Sequence, residues 1–163
     1  MPIVSLREIT AETVRDVLRL AVAPDQQRFV ASNAVSLAQA LFSPEAWYRA
    51  IYLDEKPVGF VMLYDESLRK EPPASPQVGV WRLMIDAGCQ RQGIGAEALR
   101  QVIAHVRAKA VAPRLELSYV PGPGCPEPFY LRAGFRHTGR VDGDELVLEL
   151  PLMEEARAEA LAR

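Results

Sequence analysis

Trp81-Arg82-Leu83-Met84-Ile85-Asp86 closes an apolar run; after Ala87-Gly88-Cys89 come Gln90-Arg91-Gln92-Gly93-Ile94-Gly95 and then Ala96 to Ala110, a stretch without Gly or Pro. The pattern is that of a strand, a tight turn and a helix. The first backbone N–H groups of a helix have no intrahelical partners. They point outward together at the positive end of the helix dipole and favour an anion. Gly93 and Gly95 present no Cβ to hold a phosphate away from those groups, and Arg91 adds a positive charge. The turn from Gln90 to Ala96 is therefore predicted to cradle a phosphate.

Working outward, Leu115 to Val120 follows Pro113 as a further strand, so the predicted helix lies in a strand-helix-strand crossover, the parallel unit of an α/β sheet. Upstream, Ile3 to Ile9 alternates as a first strand. Thr10 is placed to cap a helix from Ala11 to about Ala21, and Ala34 to Phe42 forms a second helix ended by Pro44. Trp47 to Leu53 and Val58 to Leu63 are β-rich and flank Asp54-Glu55-Lys56-Pro57, which predicts a hairpin. Asp65 to Gln77 is polar and holds Pro72, Pro73 and Pro76, as expected of an exposed loop. Val78 to Asp86 is nearly continuously apolar and belongs at the centre of the sheet. Downstream of the Pro/Gly-rich Pro121 to Pro126, a short helix fits Glu127 to Ala133 and stops at Gly134. Phe135 to Val141 and Glu145 to Leu150 then flank Asp142-Gly143-Asp144 as a closing hairpin. The expected fold class is α/β (α+β mixed sheet), with about seven strands and about four helices. Residues 1–152 form one domain, and 153–163 form a tail or short helix.

With 163 residues the chain is sized for one core, burying about 68–70% of the unfolded surface. Apolar residues make up 49% of the sequence and the net charge is −2, which predicts neither disorder nor a nucleic acid partner. No apolar run is long enough for a membrane span, and the start lacks the layout of a signal peptide, so no membrane association and a cytoplasmic location are expected. Cys89 and Cys125 lack metal-ligand spacing and are read as free thiols. His105 and His137 have no partner ligands at such spacing and are read as structural or solvated, so no metal is expected.

The strand ending at Asp86, the Q-x-x-G-x-G turn at Gln90 to Gly95 and Phe129-Tyr130-Leu131-Arg132-Ala133-Gly134-Phe135, which supplies Y-x-x-x-G-F, stand in a fixed order. Over residues 3 to 150 the chain resembles the GNAT superfamily of acetyl-CoA-dependent N-acetyltransferases. Within it, Gln27 to Asn33 and Trp81 to Asp86 resemble bacterial spermine/spermidine (diamine) acetyltransferases. The resemblance implies a sheet whose central parallel pair splays apart. It also implies acetyl-CoA as cosubstrate and transfer to a primary amine by direct attack, with no covalent intermediate on the protein. Spermidine or spermine is the favoured acceptor. The other readings are another amine (an aminoglycoside, an amino acid or a protein N-terminus) and a non-catalytic acyl-CoA-binding sensor module.

By the same resemblance, the N–H groups of Gln90, Arg91, Gln92, Gly93, Ile94, Gly95 and Ala96 hold the CoA pyrophosphate. The open edge of the strand at Leu83, Met84 and Ile85 holds the pantetheine, with a main-chain N–H near Ile85 facing the thioester carbonyl. Tyr130 matches the tyrosine that faces the departing sulfur. An unperturbed phenol has a pKa near 10 against about 8.5 for a thiol, so protonating the thiolate is uphill by roughly 2 kcal/mol and a hydrogen bond is an equal alternative. An amine of pKa about 10.4 is only on the order of one part in two thousand neutral at pH 7, so a base is needed. Glu116 is the candidate, its competing reading being an outward strand charge or a salt bridge. Where many members have a pantetheine-contacting asparagine, this chain has Pro123, which leaves that contact to Ser118 or to backbone groups. Phe29 and Asn33 are expected on the acceptor side. Asp25, Glu45, Asp54 and Glu116 are candidate charges for a polycation. A homodimer is expected to be possible through the exposed last hairpin.

Overall fold

A computed structural model describes residues 1–153 and Arg163. The predicted C-terminal tail or helix lies, apart from Met153 and Arg163, outside the described residues. The strands are β1 (Val4–Arg7), β2 (Ala46–Leu53), β3 (Lys56–Asp65), β4 (Val78–Ile85), β5 (Arg114–Tyr119), β6 (Arg136–Asp142) and β7 (Glu145–Pro151). The helices are α1 (Val14–Arg19), α2 (Asn33–Ala40), α3 (Ile94–Lys109) and α4 (Glu127–Arg132). One seven-stranded sheet runs in the order β1-β2-β3-β4-β5-β7-β6, with β4 and β5 parallel and the other neighbours antiparallel. The expected mixed sheet, strand count and helix count are all present.

Local chemistry sets the element ends. α1 starts at Val14, later than the expected Ala11, because Thr10 to Thr13 form a turn of their own; the Thr10 N–H donates to Thr13 Oγ1 at 2.9 Å. Ser32 caps α2, its Oγ accepting from the Val35 N–H at 3.2 Å. The β2–β3 hairpin turns at Asp54, whose φ of 52° is left-handed. The same residue's side chain accepts from the Ile3 N–H at 2.9 Å and ties β1 to the hairpin.

Alternation along the strands divides the apolar residues between two faces. One cluster packs Ile51, Val61, Leu63 and Leu115 against Leu99 and Val102 of α3, with Tyr130 and Phe135 beside them. The other packs Ala50, Phe60, Met62 and Met84 against Val17 of α1. β4 serves both faces and carries a bulge. Met62 pairs with Arg82 and Leu63 with Val80, leaving Trp81 as the extra residue. At Gly59 the two strands come very close: a Cβ there would lie 2.5 Å from the Met84 carbonyl oxygen.

Candidate active site

The pairing of β4 with β5 is limited to Val78 with Leu115 and Gly79 with Glu116. Beyond those residues the two strands part. β4 keeps its ladder with β3 and β5 keeps its ladder with β7, so the gap opens inside the sheet. The Asp86 N–H donates to the Val58 carbonyl at 2.8 Å. By the alternation of an antiparallel ladder, the backbone groups of Met84 also face β3, while those of Leu83 and Ile85 face the gap.

Two cavities meet at this gap. One, of about 620 Å³, is lined by β4 from Val80 to Ile85, by the turn before α3 and by Phe129, Tyr130 and Arg132 of α4. The other, of about 1130 Å³, lies beside Tyr64, Gln77, Glu116, Arg140, Asp142 and Glu145. Val80 to Arg82, Leu117 to Tyr119 and Phe29 line both.

The turn is built on two left-handed residues, Arg91 at φ 61° and Gly93 at φ 78°. Gly93 fits that conformation freely, whereas Arg91 holds it against its own Cβ. α3 begins at Ile94, and its first intrahelical bond runs from the Glu97 N–H to the Gly93 carbonyl at 3.1 Å. The N–H groups of Ile94, Gly95 and Ala96 are therefore open toward the first cavity, which all three residues line. A Cβ on Gly95 would stand 3.5 Å from Ile85 and 3.6 Å from Phe129, ordinary contact distances that place the helix start against β4 and α4. Gln90 is a structural strut. Its amide donates to the Ile85 carbonyl at 2.9 Å and to Gln26 at 2.8 Å, joining the turn to β4 and to the α1–α2 connection. Gln92 is exposed and lines neither cavity.

Tyr130 is only 7% exposed, with edge-on contacts to Phe129 and Phe135 at centroid distances of 5.1 and 5.6 Å. Burial pushes its phenol well above the ordinary value, so it is protonated throughout the physiological range. Glu116 lines the second cavity, and its carboxylate accepts a hydrogen bond from the Arg140 guanidinium. Ser118 lines both cavities and donates to Glu145. Pro123, which cannot donate a hydrogen bond from its backbone, offers its carbonyl to Arg28 at 2.6 Å, and the Arg28 guanidinium also covers the Phe29 ring.

Asn33 is a correction. It is 2% exposed and lines neither cavity; its amide donates to the Val17 carbonyl at 2.9 Å and meets the Met84 sulfur at 3.7 Å. As the first residue of α2 it turns inward and braces α1 against β4. Asp25, Glu45 and Asp54 also line neither cavity; Glu45 is held by Arg69 at 2.7 Å. His105 stacks on Trp47 at 4.4 Å and His137 meets Glu127 at 2.7 Å, both away from the gap. Arg82, Arg28 and Arg132 line the cavities without having been expected there. Arg132 stood inside the Y-x-x-x-G-F string, but Arg28 and Arg82 are placed by a loop and a bulge that no residue pattern announces.

A parted parallel pair, an anion-ready helix start and a buried tyrosine thus share one cleft. The sequence of residues 11–135 matches the model of the Acetyltransferase (GNAT) family. The chain belongs to the GNAT family. Among solved structures, this GNAT fold is similar to an aminoglycoside acetyltransferase AAC(6')-Ib in complex with coenzyme A, at 14% identity and TM-score 0.72, covering 99% of this chain and 100% of that one. An acetyltransferase from Thermus thermophilus matches at 19% identity and TM-score 0.70, over 91% and 96% of the two chains. The ribosomal-protein-S18-alanine N-acetyltransferase from Escherichia coli matches at 15% and 0.65, over 94% and 96%. No curated protein matches the sequence. Among the described residues no group of three or more His, Cys, Asp or Glu is placed to hold a metal ion, and no helix is long and apolar enough to cross a membrane.

Proposed function

We propose that this chain is an acetyl-CoA-dependent N-acetyltransferase that passes the acetyl group directly to a primary amine, with a polyamine such as spermidine or spermine as acceptor. The observation that carries the reading is the separation of β4 from β5 beside the α3 turn. It leaves a strand edge that an extended, amide-bearing chain such as pantetheine can pair with, ending at N–H groups suited to a pyrophosphate. Arg91 adds charge at that end. Ile85, whose N–H faces the gap, supplies the donor for the thioester oxygen, on which negative charge grows as the amine attacks. One such donor is worth about 2.7–4 kcal/mol.

Tyr130 acts on the sulfur. Its burial makes phenolate formation costlier than in water, so it stabilises the leaving thiolate by donating a hydrogen bond and keeps its own proton, CoA departing as the thiolate. Glu116 takes the amine proton from the acceptor side, and the Arg140 contact must loosen or a water must intervene for it to do so.

The polyamine acceptor is supported by Glu116, Asp142 and Glu145 in the second cavity and by the aromatic surfaces of Trp81, Tyr64 and Phe29 there. Arg82 in the same cavity favours a second reading, an amine that carries its own carboxylate, such as an amino acid or peptide. A coupled CoA-release assay over polyamines, amino acids, peptides and aminoglycosides separates the two. Spermidine or spermine should give the highest kcat/KM. Turnover confined to carboxylate-bearing amines sinks the polyamine assignment, and acetyl-CoA binding with no turnover on any amine leaves a sensor module.

A further inference from the structure

An ammonium group sheds two protons on its way to an amide, one before the nitrogen attacks and one after it has bonded to the acyl carbon. In the reading above Glu116 takes the first. It stands at the closed vertex of the gap: its partner on β4 is Gly79, where a Cβ would lie 3.1 Å from the Glu116 carbonyl oxygen. Ser118 comes two residues later on β5, on the same face of the strand but beyond the paired positions, inside the gap. It is exposed and lines both cavities, whereas Glu116 lines only the second. On β7, Val147 lies opposite Ser118, and Glu145, two residues before Val147, shares that face. The Ser118 hydroxyl donates to the Glu145 carboxylate, which lines the second cavity. Two further carboxylates on this face are held by guanidiniums, Glu116 by Arg140 and Glu149 by Arg136 at 3.2 Å. Glu145 forms no ion pair among the described residues; Arg82 attracts it from β4 without contact.

We infer that Ser118 and Glu145 form a relay that takes the second proton. This rests on the acetyl-CoA reading above. With its one proton committed to Glu145, the Ser118 hydroxyl presents lone pairs to the junction of the two cavities, where the attacking nitrogen stands in that reading. Forming the N–C bond leaves a positive nitrogen bonded to an electron-poor carbon, so it is more acidic than the free ammonium. Its proton passes to Ser118 Oγ as the hydroxyl proton passes to Glu145. The C–S bond then breaks, the sulfur leaves as the thiolate, and the neutral amide remains. Glu145 gives its proton to water in the second cavity, so serine and carboxylate return to their starting forms. Ser118 is thus a catalytic residue, and Glu145 a positioning residue that acts through it.

The test uses the full chain and measures kcat, KM and calorimetric acetyl-CoA binding, with the amine of highest kcat/KM in the CoA-release assay. Ser118→Ala and Glu145→Gln should each lower kcat by on the order of 100-fold, with acetyl-CoA affinity unchanged. Because the two act as one path, the double variant should be no slower than either single one. Glu145→Asp should recover part of the rate, which a role in packing alone would not give. Unchanged kcat in Glu145→Gln, or multiplied losses in the double variant, overturns the relay. So does weaker acetyl-CoA binding with unchanged kcat in Ser118→Ala, which makes the serine a cofactor contact. A parent protein that turns over no amine overturns the acetyltransferase reading itself, a result distinguishable from the others.

Discussion

Tyr130 combines a location on the wall of the first cavity with a hydroxyl whose ionisation burial opposes. Tyr130→Phe should therefore keep the ring packing and acetyl-CoA affinity while lowering turnover by about 100-fold, measured as kcat beside a binding constant. A loss below about threefold would assign the tyrosine to the core alone. Glu116 is already engaged by the Arg140 guanidinium. Glu116→Gln should lower kcat by on the order of 100-fold if the carboxylate takes the amine proton, and unchanged kcat would leave it as the partner of Arg140. Tyr130 was legible because it stands in a spaced string with Gly134 and Phe135. Asn33 was not. Whether a polar residue at a helix start faces a cavity or the core depends on how α2 rolls onto α1 and β4, and that rotation is not written in local spacing.

Elements were legible where period and punctuation agreed. The α3 turn and the β6–β7 hairpin stand close to where the sequence puts them, because glycines at left-handed positions mark both. The bulge at Trp81 was hidden, since a strand buried on both faces shows no alternation whose break would reveal an extra residue. Another unannounced tie joins α3 to the end of β3. Lys109 Nζ lies 2.5 Å from Asp65 Oδ2 and 3.0 Å from Ser67 Oγ, and Asp65 is only 1% exposed. Burial alone would raise the Asp65 pKa, but the hydrogen bonds from Lys109 and Ser67 outweigh it and leave the value lowered. A carboxyl with a depressed folded pKa adds stability above its unfolded value, near 3.9, and loses that contribution as pH falls through the folded value. Denaturant midpoints measured downward from pH 5 should therefore drop less steeply in Asp65→Asn than in the parent. Parallel curves would show that the pair contributes no pH dependence.

At the scale of the molecule, the order of the elements was enough for a mixed sheet of about seven strands with about four helices. The second cavity, proposed for the acceptor, was much less legible. It is assembled from the α1–α2 connection, the bulge and the β6–β7 hairpin, segments remote in sequence that the sheet brings together. Acidic residues picked by type alone, such as Asp25 and Asp54, fell outside it, while Asp142 and Glu145 entered it from the far end of the chain.

The incomplete pairing of β4 with β5 also means that the molecule carries an unpaired strand border in its interior, away from the sheet's rim. Such a border would invite association with another chain if it lay on the outside; recessed between two walls, it admits only a slender guest. Its amides should therefore report occupancy directly. Hydrogen exchange at Leu83 and Ile85 should be fast in the free protein and slow on adding CoA, while Met84, already facing β3, stays protected in both. Equal rates with and without CoA would show that no ligand strand completes the sheet.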